Sequence, residues 1–260
     1  MSNLRIACVT GAAQGIGRAI ALRLAAEGCD ISVGDLPNQM HLVQELVTEI
    51  QGQGRKAIAI AVDVTNESDV ENLIDLTVKS LGGLDIMVAN AGVGTLGNIL
   101  DTSIQELERV HAVNVKGTFL TYKTAAKAMI AQGRGGVIIG ASSLAGKKGA
   151  GMCSVYGSSK FAVRAITQAA AVEWGKHGIR VNAYAPGATD TPLLTEMDEV
   201  FSKLIEAPAN TYKEIMKGQA ALGGLGTPES IAGVVSFLAS KDSAFMTGQT
   251  LCADGGIWFD

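Results

Sequence analysis

Short apolar runs alternate along the chain with segments of helical character. RIACVT (5–10), DISVGD (30–35), AIAIAV (57–62), LDIMVAN (84–90), GVIIGAS (136–142), RVNAYAP (180–186) and QTLCA (249–253) are nearly continuous in apolar residues, the pattern of strands covered on both faces. Between them lie amphipathic stretches: 17–27 carries Ile20, Leu22, Leu24 and Ala25, and 41–51 carries Leu42, Leu46 and Ile50. Three helix starts carry capping chemistry: Asn66, a capping box at Ser103-Ile-Gln-Glu106, and Thr227 followed by Pro228. Strand, helix, strand, repeated, predicts an α/β chain: a doubly wound parallel sheet of about seven strands with right-handed crossovers and helices on both faces. One domain over 1–260 is the simplest organisation, since neither a proline- or serine-rich linker nor a tandem repeat breaks the rhythm. The stretch 193–222 does interrupt it, as mixed helix and loop, and is expected to cover a site.

Composition narrows the partners. Apolar residues make up 47% of the 260 and charged ones 18%, enough for a sizeable core and against disorder. A net charge of −4 argues against nucleic acid as the main partner. Cys8, Cys29, Cys153 and Cys252 form no CxxC, and His41, His111 and His177 lie far apart. Reduced thiols in a cytoplasmic protein are expected, with no metal site. Met1 leads directly into LRIACV and a glycine turn, without the charged region, long apolar run and cleavage site of a signal peptide. No apolar run approaches the roughly 20 residues that span a bilayer, so no membrane partner is expected.

TGAAQGIG (10–17) follows the first strand and opens the first helix. Glycines at 11, 15 and 17 let the backbone turn sharply and approach a diphosphate, whose charge faces the helix N-terminus. The spacing G-x-x-x-G-x-G differs from the common G-x-G-x-x-G. Asp35 ends the second strand, where a carboxylate can accept both ribose hydroxyls and repels a 2′-phosphate. Leu36 follows, with no arginine to welcome that phosphate, and Gln14 brings no charge. NAD is therefore favoured over NADP, on a Rossmann-like sheet. Asp63 and Asn90-Ala91-Gly92 fall at the carboxyl ends of strands, where ligands of open α/β sheets gather; Asp63 reads equally well as a turn or helix-capping acid.

SVYGSSKFAVRA (154–165) sets a phenol and an ammonium four residues apart, on one side of a helix. A lysine beside a tyrosine favours the phenolate and is expected to lower its pKa from about 10 toward working pH. Tyr156 then becomes a proton relay.

Together these residues resemble the short-chain dehydrogenase/reductase family over essentially the whole chain. Thr10 to Gly17, with Gln14 and Ile16 inside it, matches the family's cofactor turn. Asp63-Val64 matches its adenine-contacting pair, and Asn90-Ala91-Gly92 its NAG motif. Asn114 in HAVNVKG matches its helix asparagine, Ser143 its catalytic serine, and Tyr156-Gly-Ser-Ser-Lys160 its YxxxK pair. Pro186-Gly187 opens its nicotinamide loop, where Thr189 and Thr191 would hold the carboxamide. Within the family the chain is most similar to acetoin (diacetyl) reductases and butanediol dehydrogenases, on VYGSSKFAVRAITQ (155–168) and FMTGQTLCADGG (245–256). Leu144 and Leu194 stand where those enzymes tend to carry glutamine and tryptophan. Both would border the substrate, so a bulkier or more apolar alcohol also fits.

The resemblance implies direct hydride transfer between a secondary alcohol or ketone and nicotinamide, without metal. Tyr156 would exchange the proton, Ser143 would orient the substrate oxygen, and Lys160 would lower the Tyr156 pKa and hold the ribose. Asn114 would anchor a water leading from Lys160 to solvent; a structural amide bracing a distorted helix is the alternative. Gly157, Ser158 and Ser159 are small, which would leave room for the cofactor. Met152, Met197 and Met216 could line the pocket or fill gaps. The segments 104–131 and 154–177 are too apolar for simple surface helices. One face is expected to pack on the sheet and another on a partner chain, as in the family's usual homotetramer. Rival readings are an NAD-binding regulator without turnover, a dehydrogenase for sugars, polyols, steroids or terpenoid alcohols, and an acyl-carrier ketoreductase, whose preference for NADP Asp35 and Leu36 disfavour. ASSLAG (141–146) is not G-x-S-x-G and has no histidine to activate a serine nucleophile.

Overall fold

The computed structural model describes residues 4–259. Seven strands form one parallel sheet: β1 (Ile6–Thr10), β2 (Asp30–Asp35), β3 (Ala57–Ala61), β4 (Ile86–Ala89), β5 (Gly136–Ala141), β6 (Ile179–Pro186) and β7 (Thr250–Ala253), in the order β3-β2-β1-β4-β5-β6-β7. Chain order reverses at β1, which pairs with β2 on one side and β4 on the other. A parallel doubly wound sheet leaves its ligand crevice at that reversal, outside the carboxyl ends.

Alternation along each strand sorts the core into two layers. Ala7 and Val9 of β1, Ile31 and Val33 of β2, and Ile86 and Val88 of β4 face one cluster. It is filled by Ile20 and Leu24 of α1 (Gly15–Ala26), Leu46 and Ile50 of α2 (Met40–Gly52), and Val235 and Leu238 of α9 (Pro228–Ala239). Cys8 and Met87 face the opposite cluster, with Leu73 and Ile74 of α3 (Glu67–Leu81). Tyr122 and Met129 of α5 (Thr118–Gln132) and Ala170 and Ala171 of α6 (Ser154–Trp174) complete it. Ser32 points to this second side and satisfies its hydroxyl with Thr77 of α3 at 2.7 Å.

The expected helix starts divide. Asn66 caps α3, accepting from the Ser68 N–H at 3.0 Å. Thr227 caps α9, and Ser230 completes a reciprocal box that the sequence reading did not foresee. Ser103 caps α4 (Ile104–His111), but Glu106 pairs with Arg109 instead of reaching back, so only half of that box exists. The segment 104–131 is not one regular helix. A π-turn over Ala112–Gly117 separates α4 from α5. The stretch 193–222 is mixed helix and loop, containing most of α7 (Pro192–Leu204) and α8 (Thr211–Gln219). Thr191 caps α7, its hydroxyl accepting from Leu194 N–H at 3.3 Å. Buried Asp198 in α7 accepts from the N–H groups of Asn210 and Lys213 at 2.7 and 3.1 Å, tying down the start of α8. No described helix is long and apolar enough to cross a membrane.

Candidate active site

The carboxyl ends of the strands, α7 and α8 enclose a cavity of about 950 Å³. Its floor at one end is the turn between β1 and α1. Gly11 (φ +63°) and Gly15 (φ +56°) occupy left-handed backbone, and Gly17 is excluded from carrying a side chain by contact alone. A β-carbon on Gly17 would lie 2.1 Å from the Gly11 carbonyl oxygen, and one on Gly11 would lie 2.7 Å from Ala91 Cα. Gln14 enters α1 in extended backbone without capping it. The first-turn N–H groups of α1, including that of Ile16, are therefore left for a ligand. An anion such as a diphosphate fits that cradle by charge and by the space the glycines leave open.

Asp35 closes the same end. Its carboxylate accepts from Ala13 N–H and Leu36 N–H, both at 2.8 Å, which fixes its orientation while lone pairs remain on each oxygen. Asp63 behaves partly as the turn acid: Oδ1 accepts from the Thr65 N–H and hydroxyl at 2.9 and 2.8 Å. It nevertheless lines the cavity, as does Val64. Asn90 spends its amide on the turn itself. Nδ2 donates to the Thr10 and Gly11 carbonyls, each at 2.9 Å, and Oδ1 accepts from the buried Tyr184 hydroxyl at 2.7 Å. On the far rim, Pro186 and Gly187 open the loop after β6. The Thr189 and Thr191 hydroxyls donate to the Gly187 and Thr189 carbonyls at 3.1 and 3.2 Å. Their oxygens retain lone pairs that a carboxamide could use.

Ser143, Tyr156 and Lys160 meet at the inner end, all buried. Ser143 ends β5 and starts a short 3-10 turn, accepting from Ala145 N–H at 3.2 Å; its hydroxyl lies near the Tyr156 phenol and favours the charged form of that group. One helical turn along α6, Lys160 Nζ donates to the Ala141 carbonyl at 2.9 Å and lies 5.5 Å from the centroid of the Tyr156 ring. Ser142, next to Ser143, donates to the Lys160 carbonyl at 3.0 Å and so pins α6 to β5. Leu144 and Leu194 line the adjoining wall.

A glycine cradle, a fixed carboxylate and a buried serine, tyrosine and lysine thus share one cleft. The family model described as enoyl-(acyl carrier protein) reductase matches residues 11–258. A short-chain dehydrogenase/reductase of Armillaria gallica is 49% identical over 261 residues, covering 100% of this chain and 98% of that one. The L-2,3-butanediol dehydrogenase of Corynebacterium glutamicum is 39% identical, covering 98% and 99%. A solved short-chain type dehydrogenase/reductase from Mycobacterium marinum superposes with a TM-score of 0.87 at 37% identity, covering 97% and 95%. The chain belongs to the short-chain dehydrogenase/reductase family. As a member it is a nicotinamide-dependent oxidoreductase.

Three expectations about this dehydrogenase/reductase are refined by the geometry. The first is the charge state of the pair. Burial is the largest influence on Tyr156 and raises its pKa, outweighing the nearby Ser143 hydroxyl, which lowers it. Burial likewise pulls Lys160 down to about 8. Both groups are driven toward their neutral forms because desolvation penalises each charge. The expected depression of the phenol by its ammonium neighbour is not found in this form. The second is Asn114, whose bonds fit the structural amide given as its alternative. Its amide braces the distorted helix: Oδ1 accepts from Val93 N–H, and Nδ2 donates to the Val93 carbonyl and the Ser159 hydroxyl. The third is the run of small residues after Tyr156. None of Gly157, Ser158 and Ser159 borders the cleft. Gly157 fits against the Ala145 carbonyl, Ser158 meets His111, and Ser159 meets Asn114.

Other lining residues were not singled out from sequence. Tyr184 sits within an ordinary-looking strand. Phe201 and Tyr212 come from the 193–222 excursion, which was expected to cover a site but without named side chains. Trp258 reaches the rim from the C-terminal segment, its backbone N–H donating to the Asp254 carboxylate at 2.8 Å and its ring under the Lys148 ammonium at 4.3 Å. Met152, Met197 and Met216 all line the cavity. Among the described residues no cluster of histidine, cysteine and acidic groups could hold a metal.

Proposed function

We propose that the protein interconverts a secondary alcohol and its ketone with NAD(H), Tyr156 exchanging the proton. The observation that carries this reading is the burial of Ser143, Tyr156 and Lys160 together at the inner end of the cleft that begins at the glycine cradle. Bound there, nicotinamide supplies a hydride donor or acceptor. The chain's own residues do the rest. Ser143 hydrogen-bonds the substrate oxygen and sets it against the phenol. Burial keeps the Tyr156 phenol protonated, which suits it to donate as the carbonyl oxygen of a ketone gains charge. Lys160, anchored on the Ala141 carbonyl, has ammonium protons left for ribose hydroxyls. Asn114 acts behind Lys160, either as a brace alone or also as anchor for a water through its remaining Oδ1 lone pair.

NAD is favoured over NADP because Asp35 faces the adenosine end, with Leu36 beside it. The cations lining the cavity, Lys148 and Lys160, belong to the catalytic end. A 2′-phosphate would meet the carboxylate without a compensating charge. Gly11, Gln14, Gly15, Ile16 and Gly17 take the diphosphate. Asp63, Val64 and Asn90 border the nucleoside, and Pro186, Gly187, Thr189 and Thr191 border the nicotinamide.

For substrate, an acetoin, diacetyl or 2,3-butanediol type is the first choice, in keeping with the Corynebacterium relative's name. The Leu144 and Leu194 wall also admits a bulkier apolar alcohol. Among the described residues no disulfide joins the cysteines, which accords with a cytoplasmic setting, and assembly as a homotetramer completes the reading. Replacing Tyr156 by Phe tests the chemistry. NADH oxidation with diketones should fall at least about 100-fold, the scale of a general acid, while the thermal midpoint stays near wild type. Near-normal turnover by that variant rejects the mechanism.

A further inference from the structure

The inner wall of the cleft is apolar apart from one group. Leu96, Leu144, Met152, Leu194, Met197 and Phe201 line it. Beyond residues already assigned to proton transfer or cofactor, Lys148 and Gln219 are exposed. Cys153 is buried and held toward its thiol form, chiefly by desolvation. Tyr212 differs from all of these. It rises from the first turn of α8, and its ring packs on Phe201 with centroids 5.1 Å apart and planes tilted by 42°. It joins the same cluster as Tyr156, Leu96, Cys153 and Met197. Among the described residues its hydroxyl has no hydrogen-bond partner, yet it is not among the sealed, unsatisfied buried polar atoms. That hydroxyl is reached by solvent, and Tyr212 lines the cavity. Burial pushes its pKa up to about 12, so it remains a neutral O–H donor throughout the working range. It is close enough to Tyr156 for a charge on one to be felt at the other.

A phenol in an apolar wall without a protein partner bonds water until a ligand displaces it, and a ligand that brings no acceptor there loses that hydrogen bond. We infer that Tyr212 is the substrate-selecting residue, donating to a second oxygen of a ketone or alcohol whose remaining body is apolar. Substrates of this class are α-hydroxyketones, vicinal diketones and the corresponding diols, with carbon chains or rings that fill the Leu, Met and Phe wall. Polyhydroxylated sugars fit poorly. Their further hydroxyls would be desolvated against methionine, leucine and phenylalanine without partners, which costs free energy for each. The inference rests on the proposed Tyr156 chemistry for which oxygen reacts. It adds what holds the other.

Tyr212→Phe keeps the ring on Phe201 and removes only the donor. The experiment compares kcat/KM with NADH for 3-hydroxybutan-2-one against butan-2-one, and for 2-hydroxycyclohexanone against cyclohexanone. Comparing wild type with variant for each compound cancels intrinsic reactivity. The loss in Tyr212→Phe should be about tenfold greater for each two-oxygen member, the value of one hydrogen bond of ordinary strength. Equal losses within each pair, or no loss in any, overturn the assignment. Calorimetric binding of the same pairs to the NADH complex of Tyr156→Phe reads the contact without turnover. There the two-oxygen members should bind more tightly, and adding Tyr212→Phe should erase the preference. Absence of that preference rejects the role of Tyr212 even if the proposed chemistry fails. Its presence alongside normal turnover by Tyr156→Phe would reject the chemistry alone.

Discussion

Lys160 titrates where it can be watched. Burial pulls it to about 8 from an ordinary 10.5, so its charge is lost within a range the protein can be assayed in. If the ammonium holds the cofactor ribose, binding selects the protonated form. Affinity should then be constant below about pH 8 and weaken as pH rises through it, by up to tenfold per unit. NADH fluorescence titrations from pH 6.5 to 9.5 check this, with Lys160→Gln expected to be weaker and flat. A flat wild-type profile removes Lys160 from the cofactor site. The pairing of Tyr156 with Lys160 is legible because four residues make one helical turn. The direction of their pKa shifts is not, because it depends on how completely β5 and the loops around α6 exclude water. Spacing along a helix carries no measure of that burial.

At the scale of elements, the cofactor turn depends on strands far from it in sequence. Tyr184 of β6 donates to Asn90 after β4 at 2.7 Å, and Asn90 donates to the Thr10 and Gly11 carbonyls at the end of β1. The relay runs from β6 through the β4 loop to the glycine cradle. Removing the hydroxyl leaves Asn90 Oδ1 unsatisfied at the base of the turn, a cost of about 1–3 kcal/mol. Tyr184→Phe should raise the KM for NADH several-fold with a smaller change in kcat, and lower the thermal midpoint by a few degrees. Unchanged cofactor KM and midpoint would show that the two carbonyls orient the amide unaided. The glycine turn and the seven strands are legible locally, since each needs only its own residues. The Tyr184 contact joins positions 94 apart in sequence, and a tyrosine in a buried strand looks like core. The π-turn at Ala112–Gly117 is hidden for a related reason. One extra residue in a turn scarcely disturbs apolar periodicity over a long segment, and its cause, the Asn114 clamp on Val93 and Ser159, lies in other elements.

The whole molecule has surfaces a lone chain does not explain. Its sheet is open, with β3 and β7 at the edges, and open edges are usually paired or covered. The helices packed beside Tyr156 and Lys160 expose apolar groups: Leu107 on α4, Phe119 on α5, and Phe161 and Val172 on α6. Phe245 stands fully exposed before β7. Helices α4 and α5 also carry the Asn114 clamp between them, and α6 carries Tyr156 and Lys160, so whatever covers these faces also steadies the site. Closed two-fold assemblies bury such patches against their own copies. Sedimentation equilibrium at micromolar concentration should give about four times the 26.8 kDa chain mass. Phe161→Glu places an unpaired charge in one proposed contact and should shift the population toward smaller species, with turnover falling in step. A purely monomeric wild type rejects the tetramer. In that case the exposed phenylalanines need a different partner, and Tyr156 must be held in place by the monomer alone.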